Sequence, residues 1–138
     1  MRICLKAFSP LLLAMILSAP PAGAKEGVKA TIHTPVSASI EAGTRVHVMW
    51  TLTDEKNGRP FSACAVFIRL IGPTGEFNEA FAECGLSASQ GNYDARPIVP
   101  VGGVVRIEIG IAGTMTDKEG NSQRSDWLMP LTNNPIGD

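Results

Sequence analysis

Residues 64–84, CAVFIRLIGPTGEFNEAFAEC, decide the fold of this chain. Near the middle, Gly72-Pro73-Thr74-Gly75 places Pro and Gly where a type I turn closed by a left-handed glycine bulge requires them. This turn pairs residue 72 with residue 76 and thereby sets every later pair across the hairpin. Three matched pairs result: Cys64 with Cys84, Phe67 with Phe81, and Arg69 with Glu79. A one-residue slip would lose all three, so the stretch predicts a β-hairpin in this register.

Alternation of apolar and polar residues predicts further strands on both sides of this hairpin. The two clearest have apolar side chains on one face: Val46, Val48, Trp50 and Leu52 in the first, and Val105, Ile107, Ile109 and Ile111 in the second. Shorter strands are predicted at residues 28–33, 91–95 and 126–131, the last with Trp127 and Met129 on one face. About seven strands indicate an all-β fold, specifically an immunoglobulin-like β-sandwich with Trp50 in its core.

The first 24 residues have the pattern of a cleaved secretory signal. Arg2 and Lys6 precede an apolar run at residues 11–17, and Ala22-Gly23-Ala24 supplies the small residues that signal peptidase requires. The apolar run is too short to cross a bilayer, so the sequence predicts no membrane span in the mature chain. We expect a periplasmic or secreted protein that begins at Lys25, with a sandwich domain over residues 25–132 and a flexible tail over residues 133–138.

Cys64 and Cys84 are the two cysteines that remain after this cleavage. In an exported protein an isolated pair favours a disulfide over a metal site or a catalytic thiol. Within the hairpin the bond would close a loop of about twenty residues and stabilise the fold by roughly 3 kcal/mol in the chain-entropy model. A bond between two sheets is the alternative that the sequence leaves open.

The charge of the mature chain argues against two classes of partner. Ten basic residues remain against thirteen acidic ones, a formal charge of −3, and they form no basic cluster. Nucleic acid and anionic lipid surfaces are therefore poor candidate partners.

Several short elements resemble one known family. Gly58-Arg59-Pro60-Phe61, Cys64-Ala65-Val66, residues 91–95 (Gly-Asn-Tyr-Asp-Ala) and residues 100–103 (Pro-Val-Gly-Gly) follow one another in the order found in bacterial exported Ig-like domains of the YtkA/FixH type. The resemblance covers most of the mature chain, and it departs from the family pattern at Cys64, which is an added cysteine. It implies an immunoglobulin-like fold and an accessory or binding role in the cell envelope, and it brings no catalytic residues.

The motifs of common enzymes do not occur in the sequence. There is no Gly-x-Ser-x-Gly elbow, and thiol catalysis would require a free cysteine beside a histidine. Asp117, Glu119 and Asn121 alternate oxygen ligands, but the glycine position does not fit a calcium loop, so a solvated hairpin turn is predicted there. We therefore expect a protein that is not an enzyme and has no resident cofactor.

Copper is the alternative ligand that the sequence suggests. His47 and Met49 lie two apart on one predicted strand, so both side chains leave the same face. Imidazole and thioether groups suit copper, but two ligands do not make a site, so His33, Met115 or Met129 would have to converge on them. The sequence thus predicts an exported binding or adaptor domain whose partner is an envelope protein or a small ligand. The alternative is a periplasmic copper-binding accessory protein that uses His47, Met49 and His33.

Overall fold

The computed structural model describes residues 27–137. Almost all regular structure in these residues is β-strand, as the alternation of apolar side chains predicts. The predicted signal at residues 1–24 lies outside the described residues. Within residues 27–137 the elements are, in chain order, β1 (Val28–Ile32), β2 (Val36–Ser37), β3 (Val48–Asp54), β4 (Val66–Ile71), β5 (Phe77–Phe81), α1 (Leu86–Ser89), β6 (Asn92–Ala95), β7 (Arg106–Thr116), β8 (Ser122–Met129) and β9 (Ile136–Gly137). The predicted all-β fold is confirmed.

Two antiparallel sheets enclose the core. The first has the strand order β1-β3-β6 and the second β5-β4-β7-β8, while β2 and β9 form a small parallel pair. Each sheet turns alternate apolar side chains toward the other, as a sandwich requires. The core contains these strand residues: Val28, Ala30, Ile32, Val48, Trp50, Leu52, Val66, Ile68, Leu70, Tyr93, Ala95, Ile107, Ile109 and Met129.

The hairpin of β4 and β5 has the predicted register. Phe67 pairs with Phe81 and Arg69 with Glu79. At the turn the Gly72 N–H donates to the Glu76 carbonyl oxygen at 2.8 Å, and Gly75 has a φ of +88°, which is the left-handed bulge. The Cys64–Cys84 disulfide joins the open end of the hairpin, with 5.0 Å between the two Cα atoms. The bond therefore lies within the hairpin rather than between the sheets.

Tyr93 links the core to residues 61–63, which immediately precede Cys64 of the disulfide. Its ring stacks on Trp50, with 6.1 Å between ring centroids, and both side chains are buried. The hydroxyl donates to the Phe61 carbonyl oxygen at 2.7 Å and accepts from the Ala63 N–H at 3.0 Å. Burial raises the pKa of Tyr93, against the opposing effect of the Ala63 hydrogen bond. One side chain thus satisfies two backbone groups immediately before Cys64.

The later strands differ from the predicted bounds in two places. The sequence pattern predicts Val105 on the inner face with Ile107, but Val105 is exposed and precedes β7. Its N–H donates to the Ile71 carbonyl oxygen although Ile71 pairs with Arg106, so two residues lie opposite one, as in a β-bulge. The last long strand begins at Ser122 rather than at residue 126, because its pairing with β7 continues to the turn.

Residues 133–137, the part of the predicted tail that the structure describes, form hydrogen bonds with the rest of the fold. The Asn133 side chain accepts from the Ile32 N–H at 3.2 Å and donates to the Ile32 carbonyl oxygen at 2.7 Å. Beyond it, β9 pairs in parallel with β2, and the Ala38 N–H donates to Gly137 at 2.7 Å. These hydrogen bonds give the segment the partners that an isolated polar tail would lack.

Removing the Tyr93 hydroxyl should destabilise the protein. Tyr93→Phe keeps the ring packing but leaves the Phe61 carbonyl and the Ala63 N–H without their partner, so we expect a loss of about 1–3 kcal/mol in the free energy of unfolding. Urea denaturation measures this loss. Asn92→Ala, at the exposed neighbouring position, is the control and should change stability by no more than about 0.5 kcal/mol. Equal effects of the two variants would contradict the anchoring role.

Candidate functional site

The outer face of the three-stranded sheet brings the predicted ligand residues together. Because Trp50 and Tyr93 point into the core, their neighbours in sequence point outward. The His33 N–H donates to the Met49 carbonyl oxygen at 2.8 Å, and Met49 is the Cα partner of Asp94. His33, which follows β1, therefore lies beside Met49 of β3, and Met49 lies beside Asp94 of β6.

Both imidazoles on this face already have hydrogen-bond partners. The His47 Nε2 lies 2.7 Å from the Asp94 Oδ2, and the two side chains are 38% and 55% exposed. The His33 Nε2 lies 3.1 Å from the Thr51 hydroxyl oxygen. An open depression of about 520 Å³ covers this region, which we call the histidine depression; its lining residues are His33, His47, Met49, Trp50, Thr51, Ser87, Asn92, Tyr93 and Asp94.

The histidine depression offers two imidazoles, one thioether and one carboxylate. Sequence reasoning named His33, His47 and Met49 and missed Asp94, which reaches this face because β6 pairs with β3. Within residues 27–137 no group of three or more His, Cys, Asp and Glu side chains is arranged to hold a metal ion. To bind a metal here, His47 would have to give up its contact with Asp94, and His33 its contact with Thr51. The third ligand would be the sulfur of Met49, a residue that is 46% exposed.

A second cluster of polar side chains covers the outer face of the four-stranded sheet. Phe67 lies on this face, away from the sandwich core, yet it is fully buried. The Arg69 guanidinium carbon lies 4.5 Å from the Phe67 ring centroid, and that of Arg124 lies 5.1 Å from it. Phe81 meets the same ring edge-on at 5.9 Å. The two guanidinium groups and the Phe81 ring thus cover the Phe67 side chain through cation–π and aromatic contacts.

Carboxylates surround the two guanidinium groups. We call Arg69, Arg124, Glu79, Glu108 and Asp126 together the arginine cluster. Arg69 donates to Glu79 at 2.8 Å and also to Asp126, and its guanidinium lies 3.6 Å from Glu108. Arg124 donates to Glu79 through both terminal nitrogens at 2.9 Å, and to Asp126 through Nε at 2.7 Å. The carboxylates of Glu79 and Asp126 therefore each bind both guanidinium groups.

The arginine cluster shifts the acidity of these two carboxyl groups. Burial alone would raise the pKa of Glu79 and of Asp126, but the hydrogen bonds and charges of Arg124 and Arg69 outweigh burial. Both pKa values are therefore lowered. The cluster therefore joins β4, β5 and β8 by ion pairs across the outer face of the sheet.

The Asp117 turn uses its carboxylate internally. The Asp117 Oδ1 accepts from the Glu119 N–H at 3.0 Å and from the Asn121 N–H at 2.8 Å. The Asp117 N–H in turn donates to the Asn121 carbonyl oxygen at 2.9 Å. This is the hairpin turn that the sequence predicts between β7 and β8.

Known proteins give no further guide to this site. No protein-family model, curated protein or solved structure matches the chain. Over residues 27–137, none of the helices has the length and apolar character that crossing a membrane demands.

The arginine cluster should make stability depend on acidity. Glu79 and Asp126 have lower pKa values in the folded than in the unfolded chain, so their contribution is complete above the unfolded values and is lost as pH falls through the folded ones. We expect the free energy of unfolding to fall below about pH 5, as urea denaturation at a series of pH values would show. Arg69→Met should lower stability by about 2–3 kcal/mol at neutral pH and flatten this acid dependence.

Arg106→Met is the matched control for that series. The Arg106 side chain is 64% exposed and lies at the rim of the cluster, 3.4 Å from Glu108. Its removal should change stability by no more than about 0.5 kcal/mol and keep the acid dependence of the wild type. An Arg69→Met variant with wild-type stability and acid slope would show that the cluster contributes nothing.

Proposed function

We propose that this chain is an exported, non-enzymatic, immunoglobulin-like binding or adaptor domain of the cell envelope. The observation that carries the proposal is the histidine depression, an open concavity of about 520 Å³ on a hydrogen-bonded sheet. Its volume lies within the range of small-ligand sites, and its mixed lining offers polar groups beside an exposed thioether. The imidazoles of His33 and His47 are hydrogen-bonded to Thr51 and Asp94, so this face offers both donors and acceptors to a ligand.

Two features support export to the periplasm or beyond. The basic start, apolar run and small residues at positions 22–24 fit a cleaved signal. Cys64 and Cys84 are joined at the open end of a hairpin, and such structural disulfides persist in oxidising compartments. The family resemblance to exported YtkA/FixH-type domains agrees with both. An envelope protein or a small ligand is the proposed partner.

Export can be tested on the full chain produced in a bacterium. We expect the periplasmic fraction to contain a product that begins at Lys25 by intact mass and that does not react with a thiol reagent before reduction. The physical reason is that signal peptidase needs small residues at its cleavage site and that the compartment oxidises the cysteine pair. Ala24→Arg is the control, since a large charged residue at that position should block cleavage.

Two results would contradict this proposal. A wild-type product that keeps Met1 and stays in the cytoplasmic fraction would exclude export. A native protein with two accessible thiols would exclude a structural disulfide and favour thiol redox chemistry instead.

Copper binding is the second candidate function, favoured by one specific observation. His33, His47 and Met49 line the same depression, and Asp94 adds a carboxylate that already contacts His47. Nitrogen and thioether ligands together suit copper better than calcium or magnesium. In this alternative the protein is a periplasmic accessory protein that carries copper on an open sheet face.

A melting series of residues 25–138 with Cu(I), Cu(II), Zn(II) or Ca(II) separates the two candidates. If copper binds the folded chain alone, a hundredfold excess over the dissociation constant should stabilise it by about 2.7 kcal/mol. His47→Ala and Asp94→Ala should both reduce that shift, whereas Asn92→Ala, on the same face, should keep it. No shift with any metal would reject copper binding.

A further inference from the structure

Among residues 27–137, β8 forms one edge of the four-stranded sheet, and the outward side of this strand has a self-complementary order of charges. β8 is the last strand of the four-stranded sheet, and its pairing with β7 begins at the hydrogen bond from the Asp117 N–H to the Asn121 carbonyl oxygen. Hydrogen-bonded pairs in an antiparallel ladder recur every second residue. The odd-numbered residues of β8 therefore bond to β7. The even-numbered ones direct their backbone N–H and C=O groups toward the open side: Ser122, Arg124, Asp126 and Leu128.

An added antiparallel strand would bond to these even-numbered residues. We propose that the strand is β8 of a second copy of this chain, related by a two-fold axis through Ser125. In that register Arg124 of each copy lies opposite Asp126 of the other, and Ser122 lies opposite Leu128. The two neighbouring registers with the same hydrogen-bonding phase place Arg124 opposite Arg124, or Asp126 opposite Asp126. Like charges directly opposite destabilise a strand pair, so charge selects the first register.

The arginine cluster prepares this edge for such a partner. Arg124 and Asp126 contact each other at 2.7 Å, and Glu79 and Arg69 bind them from within the sheet. Their positions on the outer face are thereby fixed before association, which lowers the entropy cost of binding. Charged side chains on an edge strand ordinarily discourage pairing, but on β8 they have both signs and can oppose each other across a two-fold axis.

The opposite edge of the same sheet lacks this complementarity. On β5 the residues that turn their backbone groups outward are Phe77, Glu79 and Phe81, because Gly72 and Val66 bond to the alternate positions. A two-fold axis through Glu79 would bring two carboxylates together. Self-pairing is therefore favoured at β8, where it gives a closed dimer with one continuous eight-stranded sheet.

A charge-exchange experiment on residues 25–138 tests this dimer. Sedimentation velocity from micromolar to submillimolar concentration should show the wild type passing from one to two copies. Arg124→Glu and Asp126→Arg should each weaken self-association by about tenfold or more, because each places two like-charged pairs across the axis. An equimolar mixture of the two variants should associate again, since both cross-axis pairs are then of opposite charge.

A second variant covers the case in which loss of the arginine cluster unfolds either protein. Ser122→Pro removes one outward N–H from the edge without touching Arg124 or Asp126, and proline is tolerated at such edge positions. Ser122→Pro should also weaken the dimer. Lys118→Ala in the adjoining turn is the control and should associate like the wild type. A wild type that stays a monomer throughout would overturn the proposal. So would a dimer that Ser122→Pro leaves intact, or folded charge variants that associate no better when mixed.

Discussion

The register between β4 and β5 determines which side chains face the core and which face solvent. Because successive side chains of a strand point to opposite faces, the same register sends Val66, Ile68 and Leu70 inward and leaves Phe67 and Arg69 outside. Two independent local constraints hold it: the Gly75 bulge at the turn and the disulfide at the open end. Pairing of β4 with β7 then carries the same alternation into the rest of the sheet.

This alternation creates a packing problem that the outer face resolves. Phe67 is a large apolar side chain on the solvent side, and it is buried by Arg69 and Arg124 stacked on its ring. Gly110 makes room beneath it, since a Cβ there would lie 2.6 Å from the ring. Once the guanidinium groups cover the ring, carboxylates must neutralise them, and Glu79 and Asp126 do so with lowered pKa values. The cluster is thus a consequence of the register and serves the stability of the sheet.

The local features of this fold could be predicted from sequence, and the long-range ones could not. The hairpin register and the burial of Trp50 follow from turn chemistry and alternation over a few residues, and both predictions are confirmed. Asp94 was missed because its place beside His47 depends on the pairing of β3 with β6, which residue alternation cannot specify. The same limit explains Asn133, whose amide satisfies the backbone of Ile32 at a sequence separation of 101 residues.

The two outer faces divide the chemistry of the molecule. On the four-stranded sheet the charged side chains bind one another, and together they bury the Phe67 ring. On the three-stranded sheet the His47 imidazole is bound to the exposed Asp94 carboxylate, and Met49 on the same face is 46% exposed. Because the sandwich core separates the two faces, substitutions at the histidine depression can change binding without weakening the arginine cluster. A dimer through β8 would extend only the four-stranded sheet, and it would leave the histidine depression of each copy on the outer face of the three-stranded sheet.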